Sequence, residues 1–245
     1  MDVVIVYHSK DNKTISHCLD GLKHIKELRN IYCISNERCH YYVDEAKAPF
    51  SLKDVALYVG KDRSGWYFQQ LLKLYAWYII PELSETYLIV DSDTIFCNDV
   101  SFITSAGLPK YAIGPEYHIP YFEHIQRLIP VLNKQAIHSG ICHHMVFQQK
   151  YLQEMIKLVE NIHNVPFWKC ALQNVDPIHY TGSGMSEYEL YFNYMLKYRP
   201  TEIELRELKW ANVQDIPNSK TKTIPEILNE CSSLDFVSIH SWYTV

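Results

Sequence analysis

The chain has 245 residues, 47% of them hydrophobic, which is enough to bury the core of one large domain or two small ones. Its formal net charge of -5 argues against a nucleic-acid backbone as the main partner, since that role needs a concentrated basic face. The cysteines are scattered without a Cys-x-x-Cys pair, no run approaches the roughly 20 apolar residues of a membrane-spanning helix, and no basic region precedes the first apolar run. We therefore expect a cytoplasmic protein with no transmembrane segment and at most peripheral membrane contact.

Short apolar runs alternate with helical stripes along the chain. Residues 3–7 form a continuous apolar run, residues 15–28 carry apolar side chains at helical spacing, and residues 31–34 form a second run. Strand, helix and strand in this order build a parallel sheet, so the sequence predicts an α/β fold. The further predicted strands are 41–43, 87–90, 111–114, 141–147, 203–206 and 236–242, and the further predicted helices are 66–80, 150–162, 187–197 and 224–231.

Two aspartates, Asp91 and Asp93, end the apolar run 87–90. Side chains alternate along a strand, so these two carboxylates point to one side and Ser92 points to the other. Ligands of open α/β sheets bind beyond the carboxyl ends of the strands. Two carboxylates at one point repel each other unless a hard cation joins them, which favours a metal site here. The alternative is a turn in which both carboxylates bond local backbone.

Basic residues and a glycine loop supply further candidates for the site. Arg63 precedes the predicted helix 66–80 and Lys73 lies within it, and both are placed to reach phosphates, unless they are only solvated surface. In the segment Thr181-Gly182-Ser183-Gly184, two glycines permit close approach of the backbone to a ligand.

An acidic stretch follows the glycine loop. Ser186 and Glu189 have the spacing of a capping box, which explains Glu189. Glu187 has no such obligation and is free to meet a substrate, or it only favours the positive end of the helix dipole.

Histidines occur near the ends of two predicted strands. His143 and His144 are adjacent, so on a strand they would face opposite sides and could not share a zinc ion. His240 lies near the end of the predicted strand 236–242, a position like that of the aspartates.

Four motifs occur in a fixed order: Asp91-Ser92-Asp93, Gly182-Ser183-Gly184, Ser186-Glu187 and His240. In this order the chain resembles the nucleotide-sugar-dependent glycosyltransferases of the GT-A fold, and its stretches 63–73 and 186–189 look like a little-characterised bacterial and viral branch of them. The resemblance covers nearly the whole chain, and it implies the cytoplasm of a bacterium or of a virus-infected host cell. It implies one Rossmann-like α/β domain, residues 1–245, with a mixed, mostly parallel central sheet flanked by helices. Residues 1–100 would be the nucleotide-binding half, and residues 101–245 the acceptor-binding half.

The resemblance also implies roles for particular residues. Asp93 and His240 would bind Mn²⁺ or Mg²⁺, with Asp91 at the ion's water shell or the donor ribose. Glu187 would be the general base of an inverting transfer, and a retaining transfer is the alternative. The donor would be a nucleotide sugar, with UDP-sugar as first candidate, and the acceptor a glycan, glycolipid or glycoprotein. The acidic motif departs from the family in lacking an adjacent Glu-Asp pair. The implied donor-binding residues are His8, Ser9, Lys10, Arg63, Gln70, Lys73, Asp91, Gly182 and Ser183.

Two functions from other classes compete with this interpretation. The segment Asp91-Ser92-Asp93-Thr94-Ile95 also resembles the start of a haloacid-dehalogenase-type phosphatase, in which the first aspartate is the nucleophile. That family has the motif on its first strand, whereas here it follows a later one. A non-catalytic nucleotide-sugar-binding module is the other alternative.

Tyr121 and Trp242 are candidates for stacking against sugars.

Overall fold

A computed structural model describes residues 1–240 of the chain. The ten strands of this part, in chain order, are β1 (Asp2–Val6), β2 (Ile31–Ser35), β3 (Tyr42–Asp44), β4 (Thr86–Asp91), β5 (Thr94–Phe96), β6 (Lys110–Ala112), β7 (His144–Gln148), β8 (Glu204–Arg206), β9 (Trp210–Asn212) and β10 (Phe236–Ser238). The α-helices are α1 (Ile15–Gly21), α2 (Leu52–Val59), α3 (Ser64–Leu74), α4 (Ala76–Ile79), α5 (Ile119–Leu128), α6 (Gln149–His163), α7 (Phe167–Gln173), α8 (Glu187–Tyr198) and α9 (Ile224–Glu230).

The central sheet has five strands in the order β3-β2-β1-β4-β7. The first four run parallel, and β7 pairs with β4 in the antiparallel direction, so the predicted mixed, mostly parallel sheet is confirmed. Every residue of β1 is buried, as expected for a strand covered by helices on both faces. Val6 pairs with Asp91, so β1 and β4 end at the same edge of the sheet. The loop after β1 therefore lies beside the first aspartate.

Two smaller sheets extend this architecture. Strand β10 pairs antiparallel with β5, which directly follows the aspartates, and parallel with β9. This sheet brings the chain near residue 240 back to the end of β4. Strands β6 and β8 pair in parallel, and β8 is the largely exposed strand expected at 203–206.

The predicted helix 66–80 is wrong in its extent. Helix α3 ends at Leu74, because Tyr75 leaves the helical region (φ -103°, ψ 10°), and the separate α4 follows. The predicted strand 236–242 ends at Ser238, and Trp242 lies outside the described residues. Among the residues described, no helix is both long and apolar enough to cross a lipid bilayer.

Candidate active site

A cavity of about 570 Å³ opens where β1 and β4 end. Its walls come from the loop after β1, from α3, from the Asp-x-Asp turn and from the start of α8. The predicted site residues that line it are His8, Lys10, Arg63, Gln70, Lys73, Asp91, Asp93, Glu187 and His240. Tyr121 also lines it, whereas Ser9, Gly182 and Ser183 are not among the lining residues.

Lys73 connects the two acidic motifs of the site. Its Nζ donates to Asp91 Oδ1 at 2.5 Å and to Glu187 Oε1 at 2.6 Å. The side chain is 4% exposed and its ammonium lies 4.5 Å from the ring centre of Tyr188. Tyr188 also donates its hydroxyl to Asp91 Oδ1 at 2.8 Å. The solvated-surface reading of Lys73 is therefore wrong, because a helix position facing a cavity lined with carboxylates buries the cation among its partners.

The groups around Lys73, Asp91 and Glu187 shift the pKa of each of these three side chains. Burial would lower the pKa of Lys73, but the carboxylates of Asp91 and Glu187 raise it well above its usual value. Burial would raise the pKa of Asp91, but Lys73 and His143 hold it well below its usual value. Burial and the Asp91 charge raise the pKa of Glu187 despite Lys73. Glu187 is therefore the carboxylate of the pair that is readier to accept a proton.

Asp93, the second carboxylate of the Asp-x-Asp turn, meets His240. His240 Nδ1 lies 3.1 Å from Asp93 Oδ2, and its Nε2 lies 3.2 Å from Asn212 Oδ1. The backbone N–H of residue 239 donates to the carbonyl of Asp93 at 2.8 Å, which holds the two segments together. Ser92 points the other way, as predicted, and donates to the buried carboxylate of Asp11 at 2.7 Å.

His143 lies between the two aspartates. Its φ of 59° is left-handed, which is uncommon for a residue with a β-carbon and is a conformation found at functional sites. Its Nδ1 lies 3.7 Å from Asp91 Oδ2, and its ring centre lies 5.2 Å from that of His240. His144 instead packs against aromatic rings, including Phe236 at 4.9 Å. The two histidines thus face different surroundings, as the sequence predicted.

Whether the site can hold a metal ion depends on which side chains can act as its ligands. Within residues 1–240, no group of three or more His, Cys, Asp or Glu side chains is arranged to hold a metal ion. Of the three predicted metal-binding side chains, Asp93 and His240 lie together, while Asp91 is turned toward Lys73 and Tyr188. A carboxylate and an imidazole in contact fit an ion that takes its other ligands from substrate phosphates and water.

The glycine loop packs against protein. A β-carbon at Gly184 would lie 2.5 Å from Val175 Cγ1 and 3.0 Å from the Tyr67 hydroxyl, so the glycine is needed for packing. Ser183 reaches the site indirectly, because Arg63 Nη2 donates to its Oγ at 3.3 Å.

The predicted capping box is half formed. Ser186 Oγ accepts from the backbone N–H of Glu189 at 3.2 Å. The Glu189 carboxylate does not return to Ser186. It accepts from the hydroxyl of Ser139 and, at 2.7 Å, from Asn193 Nδ2. Glu189 is therefore buried among polar partners, with its pKa raised by burial.

Sequence reasoning missed several residues of the site. His143 was considered only for zinc, and Tyr188 only as part of a motif. Asn212 had no predicted role, and Asp11 was placed only in the loop 8–11 that follows the first buried strand.

Comparison with solved structures identifies the class of fold. The chain matches the apo form of mouse xyloside xylosyltransferase 1 with a TM-score of 0.51 over 100% of both chains, at 9% identity. It also matches a glycosyltransferase involved in the glycosylation of the major capsid of PBCV-1, with a TM-score of 0.42 over 97% of this chain and 92% of that one, at 14% identity. At such identities the likeness is one of fold, and the predicted glycosyltransferase fold is confirmed.

The family follows from the sequence match. The model of a family of unknown function, DUF6492, matches residues 21–218, so the chain belongs to that family. No curated protein matches the chain in sequence.

Proposed function

We propose that this protein is a metal-dependent glycosyltransferase. It would move a sugar from a nucleotide-diphospho-sugar, with UDP-sugar as first candidate, to a hydroxyl of a glycan, lipid-linked or protein acceptor. The observation that carries the proposal is the meeting of Asp93 and His240, 147 residues apart in the chain, in the same cavity as Lys73 and Glu187. The fold shared with a xylosyltransferase supports sugar transfer over other chemistry.

Asp93 and His240 would hold Mn²⁺ or Mg²⁺. Mg²⁺ sites commonly use one or two carboxylates with substrate phosphates, and a carboxylate together with an imidazole suits Mn²⁺ somewhat better than Mg²⁺. The bound ion would supply neutralisation of the charge that grows on the leaving diphosphate. Asp91, held by Lys73 and Tyr188, would accept from a ribose hydroxyl or from the ion's water shell.

The remaining residues of the cavity would bind, position and transfer a proton. The loop 8–11 would meet the nucleobase end of the donor, since it follows β1 beside Asp91. Arg63 would add a cation for the phosphates. Glu187 would take the proton from the acceptor hydroxyl, because its raised pKa brings it closer to the operating pH than an ordinary carboxylate. A base in this role gives inversion at the anomeric carbon.

The phosphatase alternative is disfavoured by the placement of its nucleophile. The motif ends β4 and not β1, and Asp91 Oδ1 already accepts from Lys73 and Tyr188. A carboxylate stabilised by two donors is a weak nucleophile.

Donor turnover tests the proposal without knowledge of the acceptor, because water can accept the sugar. Release of nucleoside diphosphate from UDP- and GDP-sugars would be measured with and without Mn²⁺. We expect metal-dependent release from one donor, reduced about 100- to 10,000-fold in Glu187→Gln because a general base contributes that much. Glu123→Gln, an exposed carboxylate on α5, is the matched control and should keep full activity.

Other outcomes of the same experiment would reject sugar transfer. Inorganic phosphate release from p-nitrophenyl phosphate, without turnover of any nucleotide sugar, would support the phosphatase. Donor binding without turnover, with or without glycan acceptors, would support a binding module.

A further inference from the structure

Gln70 carries an unpaired donor in the innermost part of the cavity. Its Oε1 accepts from the backbone N–H of Glu187 at 3.0 Å. A backbone N–H can only donate, so this contact fixes which end of the amide is oxygen. The Nε2 group at the other end is buried and has no hydrogen-bond partner among the described residues. A buried donor without a partner is costly, which indicates that an acceptor is missing from the site.

The position of Gln70 distinguishes the inner from the outer end of the cavity. Gln70, Lys73 and Glu187 are each less than 5% exposed, although all three line the cavity. Asp62 and Gly65 line the same cavity and are exposed, so they mark its solvent side. A group that reaches Gln70 must therefore be enclosed by the protein. The transferred sugar, attached to a nucleotide anchored at the strand ends, meets that requirement, whereas of an acceptor only the reacting hydroxyl would enter this far, to meet Glu187.

The neighbouring charges select the chemistry of the missing group. The carboxylate of Glu187 lines the same cavity as Gln70, and its Oε1 accepts from Lys73. A carboxylate has about four lone-pair sites, so acceptor capacity remains. A phosphate oxygen or a second carboxylate only accepts, and it would be repelled by Glu187. A hydroxyl both accepts and donates, so it can bond the amide and tolerate the carboxylate.

We infer that Gln70 Nε2 donates to a hydroxyl of the transferred sugar and thereby selects donors that carry that hydroxyl. This inference rests on the proposed function and adds a determinant of sugar specificity to it. Arg63, seven residues earlier and two helical turns away, also has a buried Nε without a partner among the described residues. Both residues line the cavity, so one ligand in it can lie near both.

Dissociation constants measured by calorimetry with Mn²⁺ test the inference. The first probes are UDP, GDP, UDP-glucose, UDP-galactose, UDP-xylose and GDP-mannose, followed by the monodeoxy derivatives of the tightest-binding nucleotide sugar. For the native chain, removal of one particular hydroxyl should weaken binding about 10-fold or more, because it leaves a buried donor unpaired. Removal of the others should matter less.

Two variants test whether Gln70 causes this loss of affinity for the deoxy derivative. Gln70→Met removes the donor, and Gln70→Glu removes it while keeping an oxygen for the Glu187 N–H. In both, the penalty for the same deoxy position should fall below about 2-fold, since the lost donor can no longer be left unpaired. Binding of UDP or GDP alone should weaken less than binding of the nucleotide sugar, because the nucleotide lacks the sugar whose hydroxyl Gln70 contacts. Gln153→Met, on the exposed face of α6, is the matched control.

The other possible outcomes reject either the inference about Gln70 or the proposed function. If the native chain tolerates every deoxy derivative, or if the Gln70 variants keep the full penalty, the inference is wrong and the proposed function stands. The inference is also wrong if the variants weaken binding of the free nucleotide as much as binding of the nucleotide sugar, since Gln70 would then only hold Glu187 in place. If no nucleotide or nucleotide sugar binds the native chain, the proposed function fails and the inference fails with it.

Discussion

Replacement of Lys73 by methionine should strongly destabilise the fold. Lys73 Nζ lies 2.5 Å from an oxygen of Asp91 and 2.6 Å from an oxygen of Glu187, so these oxygens are at most about 5 Å apart. Without the cation, two charges at this distance repel by about 3 kcal/mol at an effective dielectric constant of 20. Breaking a buried ion pair costs about 3–5 kcal/mol in total, because a charge is left without compensation.

This loss is measurable by urea denaturation at pH 7, or as a fall in melting temperature of roughly 10 °C for a chain of this size. Two conditions should recover part of it. The double variant Lys73→Met/Glu187→Gln removes one of the repelling charges. Lowering the pH does the same, because burial and Asp91 raise the pKa of Glu187, so the folded state binds a proton more readily than the unfolded state. The stability gap to the native chain should therefore narrow as the pH falls from 7 to 5.

Lys157→Met, at an exposed position of α6, provides the matched control and should change stability by less than about 0.5 kcal/mol. The reasoning would be refuted if Lys73→Met were as stable as the native chain. It would also be refuted if Glu187→Gln added to the loss in place of reducing it.

Two further predictions concern the scaffold, and both are read from urea denaturation. The buried carboxylate of Asp2 accepts two charge-assisted bonds from Arg29, so Asp2→Asn should cost about 1.5–3 kcal/mol at pH 7. Burial opposes ionisation of Asp2, but its hydrogen bonds hold its pKa below the usual value. The stability that ionised Asp2 adds to the fold is therefore present above the pKa that Asp2 has in the unfolded chain. It is lost as the pH falls toward the pKa that Asp2 has in the folded protein. An equal cost at pH 7 and pH 2 would contradict this account. A β-carbon at Gly140 would lie 2.6 Å from the Phe192 side chain, so Gly140→Ala should cost about 1–3 kcal/mol. Gly65→Ala in α3 meets nothing within 4 Å and should stabilise by about 0.5 kcal/mol; equal effects at the two glycines would contradict the packing argument.

Strong local patterns predicted much of the fold. Strands β1 and β4 are continuous apolar runs, and the stripe of α6 differs from the predicted 150–162 by one residue at each end. Helix α2 was missed although Ser51 and Asp54 form a capping box, a signal that the sequence does contain. The break at Tyr75 was not readable, because no proline or glycine marks it.

The sequence motifs of the site could be predicted, but the contacts between their side chains could not. Asp91, Asp93 and Glu187 could be singled out because they follow a buried strand or begin a helix. The partners that define their charges come from long-range contacts: Lys73 is 114 residues from Glu187. The left-handed backbone of His143 depends on the surrounding structure and leaves no mark in the residue type.

The measurement that tests the central claim most directly is thermal stability with UDP, GDP and their sugars, with and without Mn²⁺, for the native chain and Asp93→Asn. Ligand at about 100 times its dissociation constant adds about 2.7 kcal/mol, which corresponds to roughly 5–10 °C here. A nucleotide-sugar site at Asp93 and His240 predicts a shift that requires Mn²⁺, occurs with one nucleobase and disappears in Asp93→Asn. No shift with any nucleotide, or an equal shift without metal and in the variant, would contradict the claim.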